Sequence, residues 1–164
     1  MKKKEFAIIR FDGKDHLCYK DDNQYVDVRM PMLTFTEGED KFGIIPPNPS
    51  FQTKTYTYNR HKVFVRPEMY PNKWLAISVV DSEDPDNYEV LTVNLETMPA
   101  IGLPDSAFVD CNNQPDALKF LTNNRFASDS GYKRRSGFVQ YPLVNLNLVL
   151  LYQHAPQVFQ EASI

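Results

Sequence analysis

The sequence predicts an α+β fold: a mostly antiparallel, twisted β-sheet with one main α-helix over 113–124, preceded by a small β-meander. Three observations carry that expectation. Aromatic residues make up 13% of the chain and stand beside β-branched ones, a pairing that suits pleated, half-buried surfaces. Short apolar runs recur between turn signals such as Asp12-Gly13, the grammar of hairpins. A single segment has the grammar of a helix.

In chain order, 5–11 and 16–20 flank Asp12-Gly13, and Asp21-Asp22-Asn23 turns the chain into 25–29, where Tyr25, Asp27 and Arg29 alternate with Val26 and Val28. Residues 1–29 are therefore read as the meander. From 30 to 52, Pro31, Gly38, Gly43, Pro46, Pro47 and Pro49 crowd a stretch with little periodicity, which reads as a long connection or mobile arm between two parts. The main domain then occupies 53–152. Strands 53–58 and 62–68 flank Asn59-Arg60-His61, and strands 74–80 and 88–95 flank the acidic loop 81–87. In 88–95, Val90, Thr92 and Asn94 face opposite to Leu91, Val93 and Leu95. A short buried strand covers 107–110. The helix has Asn113 as N-cap, Pro115 and Asp116 in its first turn, an apolar face of Ala117, Leu118, Phe120 and Leu121, and Asn123-Asn124 as its stop. Strands 138–141 and 143–151 close the domain, with Leu146, Leu148 and Leu150 on one face, and 153–164 is a frayed tail.

Composition bounds the function. A chain of 164 residues buries roughly 70% of its unfolded surface, enough for one real core. Apolar residues at 42% and charged ones at 24% exclude wholesale disorder. No apolar run approaches the roughly 20 residues that span a bilayer. Lys2, Lys3 and Lys4 resemble the start of a signal peptide, but Glu5 and Arg10 break the apolar stretch that must follow. The expectation is a cytoplasmic protein with no membrane association. Cys18 and Cys111 are too few for a disulfide framework or a zinc site and read as reduced thiols. No cofactor and no metal is called for.

Charge is unevenly placed. Between Lys73 and Lys119 there is no basic residue, and Asp81, Glu83, Asp84, Asp86, Glu89, Glu96, Asp105, Asp110 and Asp116 give that stretch a net charge of −9. Residues 119–135 follow with Lys119, Arg125, Lys133, Arg134 and Arg135 against Asp129, a net of +4. Such asymmetry matters if folding gathers each sign on one face.

Three motifs carry residue types suited to chemistry. The loop from Asp81 through Glu83, Asp84 and Asp86 to Glu89 lacks the central glycine and terminal glutamate of a calcium loop, and it reads as a solvated hairpin loop or an acidic partner-binding surface. Asp110-Cys111-Asn112-Asn113 lies between a strand and a helix, where turn chemistry explains Asp and Asn. A Cys111 nucleophile requires a base, and His16, His61 and His154 are scattered in sequence. Lys133-Arg134-Arg135-Ser136-Gly137, flanked by Tyr132 and Phe138, is a short basic loop able to contact phosphate, although a pI near 5.6 is low for a nucleic-acid binder. No phosphate-cradling glycine loop, dinucleotide fingerprint, metalloprotease helix or nucleophile elbow is present, and no catalytic residue is assigned.

From Lys54 to about Leu151 the chain resembles a family of uncharacterised proteins carried on conjugative plasmids and transposons of gut bacteria. The pieces come in order: Lys54-Thr55-Tyr56, Trp74-Leu75-Ala76-Ile77, Leu91-Thr92-Val93-Asn94-Leu95, Ala107-Phe108-Val109-Asp110 with Cys111-Asn112-Asn113, Phe120-Leu121, then Arg135-Ser136-Gly137-Phe138 and Tyr141-Pro142. Cys111 stands where the family pattern has Thr, and residues 1–52 match nothing in it. The resemblance implies a mobile-element accessory role and no reaction. The function expected is a non-enzymatic protein that binds a host or element macromolecule, in its sharpest form an inhibitor of a CRISPR or restriction nuclease. Its partner is then a protein contacted through the acidic segment. The alternatives are a nucleic-acid-binding factor using 132–138 and a small enzyme built around Asp110 and Asn112.

Overall fold

A computed structural model describes residues 4–95 and 105–160. Lys2, Lys3 and Glu96, used above, and 161–164 of the expected tail lie outside the described residues.

Among the described residues the chain forms three antiparallel sheets and a few short helices. The first sheet has the order β4-β3-β2-β1-β5. β1 (Phe6–Phe11), β2 (Lys14–Asp21) and β3 (Gln24–Asp27) form the expected meander. Asp12 and Gly13, at φ 51 and 75, make the left-handed two-residue turn that matches strand twist. The segment 30–52 differs from its expectation as a connection. β4 (Thr34–Thr36) pairs with β3, and β5 (Gly43–Ile45) pairs with β1. Strands of three residues show no periodicity in sequence, and the partner's backbone groups hold them.

The second sheet, β6-β7-β8-β9, contains β6 (Tyr56–Tyr58), β7 (His61–Met69), β8 (Leu75–Asp81) and β9 (Tyr88–Val90). Asn59 and Arg60, both at positive φ, turn β6 into β7. The expected strand over 88–95 is two strands in two sheets. β9 pairs with β8, whereas β10 (Thr92–Val93) pairs with β11 (Ser106–Val109). Leu91, fully buried, is the corner between them: its N–H donates to Ile77 of one sheet and its carbonyl accepts from Asp110 beyond β11 of the other.

The third sheet has the order β10-β11-β13-β12. β12 (Ala127–Ser136) and β13 (Val139–Leu146) form a long hairpin. The sequence predicts no strand over 127–136, because nearly every side chain there is exposed, which erases the alternation that marks a half-buried strand. The expected strand over 143–151 ends at Leu146. Asn147 accepts the Leu150 N–H at 3.2 Å and caps α2 (Leu148–His154). α3 (Pro156–Gln160) follows with Phe159 fully buried, so the described part of the tail is packed rather than frayed.

α1 (Ala117–Asn123) lies within the expected helix, and Ala117, Phe120 and Leu121 are its buried face. Its N-cap position is Asp116, with no side-chain cap bond, rather than Asn113. With seven residues each, α1 and α2 are equal in length, so α1 is one of several short helices among the described residues. At its C-terminus the Arg125 N–H bonds the Thr122 carbonyl and the Phe126 N–H bonds the Leu121 carbonyl. This is a Schellman ending, with Arg125 left-handed at φ 64 where glycine is usual; a non-glycine residue there costs about 1–2 kcal/mol.

One core joins these parts. Phe6, Ile8 and Leu17 of the first sheet pack in the same cluster as Val65, Ile77, Phe126, Leu151 and Phe159. The opposite face of that sheet carries its own small cluster of Ile9, Cys18, Tyr25 and Phe35. β1 is fastened at Phe6, whose N–H donates to Gln160 Oε1 and whose carbonyl accepts from Gln160 Nε2 and the Tyr152 hydroxyl.

Candidate functional site

The acidic loop spends half of its carboxylates on its own turn. Asp81 accepts the Glu83 N–H at 2.8 Å and stands 3.6 Å from His61, and Asp84 accepts the Asp86 N–H at 3.1 Å. Glu83 and Asp86 are exposed. Folding brings Glu89, Asp110 and Asp116 close enough to Tyr58 to act on it together. Gln114, buried below α1, accepts from the Tyr58 hydroxyl at 2.7 Å and donates to Glu89 at 2.7 Å. Burial pushes the Tyr58 hydroxyl pKa up, and the fields of Asp116, Glu89 and Asp110 push it further. Asp81 and Glu89 line one shallow hollow of about 230 Å³ with Tyr58 and His61. Asp105 departs from this face and pairs with Arg29 at 2.8 Å.

The Asp110–Asn113 turn behaves as its residue types dictate. Asp110 accepts the Asn113 backbone N–H at 3.2 Å and its side-chain amide at 3.0 Å. Asn112 is exposed. Cys111 donates to the Gln140 carbonyl at 3.4 Å, which sets the turn beside the β12–β13 hairpin. Cys18 is buried, and burial together with the Asp27 charge pushes its pKa up to about 12.

Lys133, Arg134 and Arg135 stand on a strand and not in a loop. β12 is an edge of its sheet, and its register with β13 shifts between Asp129 and Lys133, where Gly131 sits at φ 82. Beyond that bulge the hairpin runs as a two-stranded ribbon to Gly137-Phe138, a tight turn with Gly137 at φ 64. Arg134 lies 4.8 Å over the Phe108 ring. Tyr132 is 53% exposed and Phe138 is fully exposed. Among the described residues neither Lys133 nor Arg135 pairs with the acidic loop.

A cleft of about 900 Å³, which sequence reasoning missed, separates the first sheet from the end of α1 and the base of the hairpin. Asp27, almost fully buried, accepts the Arg29 and Met30 N–H groups on Oδ1 and holds His16 Nδ1 at 2.9 Å on Oδ2. His16 and Asp27 share a face only through the register that pairs Cys18 with Asp27. The alternation of Tyr25, Asp27 and Arg29 across the Asp22-Asn23 turn was the signal that could have found the pair. Among the described residues, no group of three or more His, Cys, Asp or Glu side chains is placed to hold a metal ion, and no helix is long and apolar enough to cross a membrane.

A family model described as a domain of unknown function (DUF4313) matches residues 67–163. The match begins inside β7 and leaves the first sheet outside. No curated protein and no solved structure matches the chain.

Proposed function

We propose, from the premise that this chain belongs to the DUF4313 family, that it is a non-enzymatic accessory protein of a mobile genetic element that acts by binding a macromolecule through the β12–β13 ribbon. The exposed Phe138 carries this reading. Lys133 and Arg135 are accounted for by edge protection alone, since charge on an edge strand deters unwanted strand pairing. A phenylalanine at full exposure on the tip of a ribbon has no such role. An aromatic tip beside cations suits an interface anchor or a stacking platform.

The sharper version is inhibition of a nucleic-acid-targeting defence enzyme. Its support is the convergence of Glu89, Asp110 and Asp116 about Tyr58 and Gln114, which offers carboxylates where a basic groove expects phosphates. The reading of a small enzyme at Asp110 and Asn112 has less behind it, because the Asp110 carboxylate is taken up by Asn113.

The test is affinity capture from host lysate with the full chain and with Phe138→Ser/Arg135→Gln, each with and without nuclease. Capture of a stoichiometric protein that survives nuclease and is lost in the double variant supports the binding reading. Nuclease-sensitive capture lost in the same variant moves the partner to nucleic acid. Capture that the variant leaves unchanged removes the ribbon from the function.

A further inference from the structure

We infer that the cleft between the first sheet and the end of α1 is a binding site for a small, multiply charged phosphate ligand, with Arg125 and Lys14 reaching it from opposite walls.

The cleft has the size of a small-molecule site and lies where two parts of the fold meet, a usual place for one. Its ionic groups are sorted unequally. Asp15 is engaged by Arg10 at 2.7 Å, Asp105 by Arg29 at 2.8 Å, and Asp27 by His16 and two backbone N–H groups. Each carboxylate at the cleft therefore already has a partner. Lys14 at the start of β2 and Arg125 beyond α1 line the same space, are exposed, and have no side-chain partner among the described residues. An anion entering the cleft meets two cations that no carboxylate engages, and Arg125 offers the planar fork that fits phosphate oxygens. His16 is fixed through Nδ1 and leaves Nε2 as its open ring nitrogen. Ser128 and Asn145 add uncharged polar groups to the lining.

Arg125 occupies the left-handed position of the Schellman ending, where glycine would sit with less strain. Its backbone is held there by the Thr122 carbonyl and by Asn147 Nδ2, which donates to the Arg125 carbonyl at 3.0 Å. The fold has no need of a side chain at this position, which directs the explanation to what the guanidinium reaches. The site also spans both parts of the chain. Arg125 falls within the family match at 67–163, whereas Lys14 and His16 come from the sheet outside it.

That strain makes a clean test available. Arg125→Gly relieves the backbone and removes the guanidinium, so it is expected to melt at the same temperature or higher. The full chain and the variants Arg125→Gly and Lys14→Gln are titrated with pyrophosphate and with ATP by calorimetry, and amide and His16 ring resonances are followed by NMR. Binding is expected in the wild type, with resonances of the cleft shifting. It is expected to weaken about tenfold or more in Arg125→Gly and less in Lys14→Gln. Tighter binding of ATP than of pyrophosphate assigns a nucleotide, and equal binding assigns a polyphosphate group alone. The inference is overturned if neither probe binds, if the shifted resonances lie elsewhere, or if Arg125→Gly binds like the wild type.

Discussion

His154 is 2% exposed and ringed by Phe51, Tyr56 and Phe126. Its Nδ1–H donates to the Leu150 carbonyl at 2.8 Å, and its Nε2 accepts the Tyr56 hydroxyl at 2.7 Å. A carbonyl only accepts, so Nδ1 carries the proton, and since burial disfavours the charged ring, Nε2 is the acceptor of the Tyr56 hydroxyl. Burial lowers the pKa of His154 below its ordinary 6.5. As pH falls below 6.5 the unfolded chain takes up a proton there that the folded chain refuses, so stability declines until the folded pKa is reached. The expected slope is at most about 1.4 kcal/mol per pH unit. Urea unfolding at pH 7.0 through 5.5 checks this, with His154→Gln expected to be less stable at pH 7 and flatter in its pH response. A wild-type stability that stays level over that range would show that burial does not depress this group. His154 was visible in sequence as a residue, but its role was not, because Tyr56 lies 98 positions away and only packing joins them.

Asn147 works at the scale of elements. Its Oδ1 caps α2 through the Leu150 N–H, and its Nδ2 ties the Arg125 carbonyl at the end of α1. One side chain thus sets where β13 stops and how two helix termini lie. Asn147→Ala is expected to lose about 1–2 kcal/mol, read from the denaturation midpoint at constant m-value. A loss below a few tenths of a kcal/mol would mean that water replaces both bonds. The same residue explains a misreading. Leu146, Leu148 and Leu150 keep a period of two across Asn147, while Leu148, Leu151 and Tyr152 keep the helical spacing, and over so few residues the two patterns are degenerate. The meander was legible because Asp12-Gly13 and Asp22 dictate left-handed turns locally. β12 was not, since an exposed edge ribbon is held by its partner's backbone and carries no core-facing pattern.

For the whole molecule the governing fact is the shared core. The first sheet buries Phe6, Ile8 and Leu17 in one cluster with residues of both other sheets and of α2 and α3, and Gln160 and Tyr152 grip the Phe6 backbone. A chain beginning at residue 53 is therefore expected to lose its cooperative transition in calorimetry and its near-ultraviolet circular dichroism. A sharp endotherm from that truncation would show instead that the family-matched part folds alone. The carboxylates about Tyr58 and the lining of the cleft come from distant segments, so the sequence carried their residues but not their assembly, whereas the basic residues of β12 are consecutive and only their place on an edge ribbon was hidden. Leu91 gives this unity a kinetic meaning. Because a single residue donates through its N–H to one sheet and accepts at its carbonyl from the end of the other, neither sheet can breathe at that corner without loosening the other. Mechanical load or a proteolytic nick in one is felt by both as a single event.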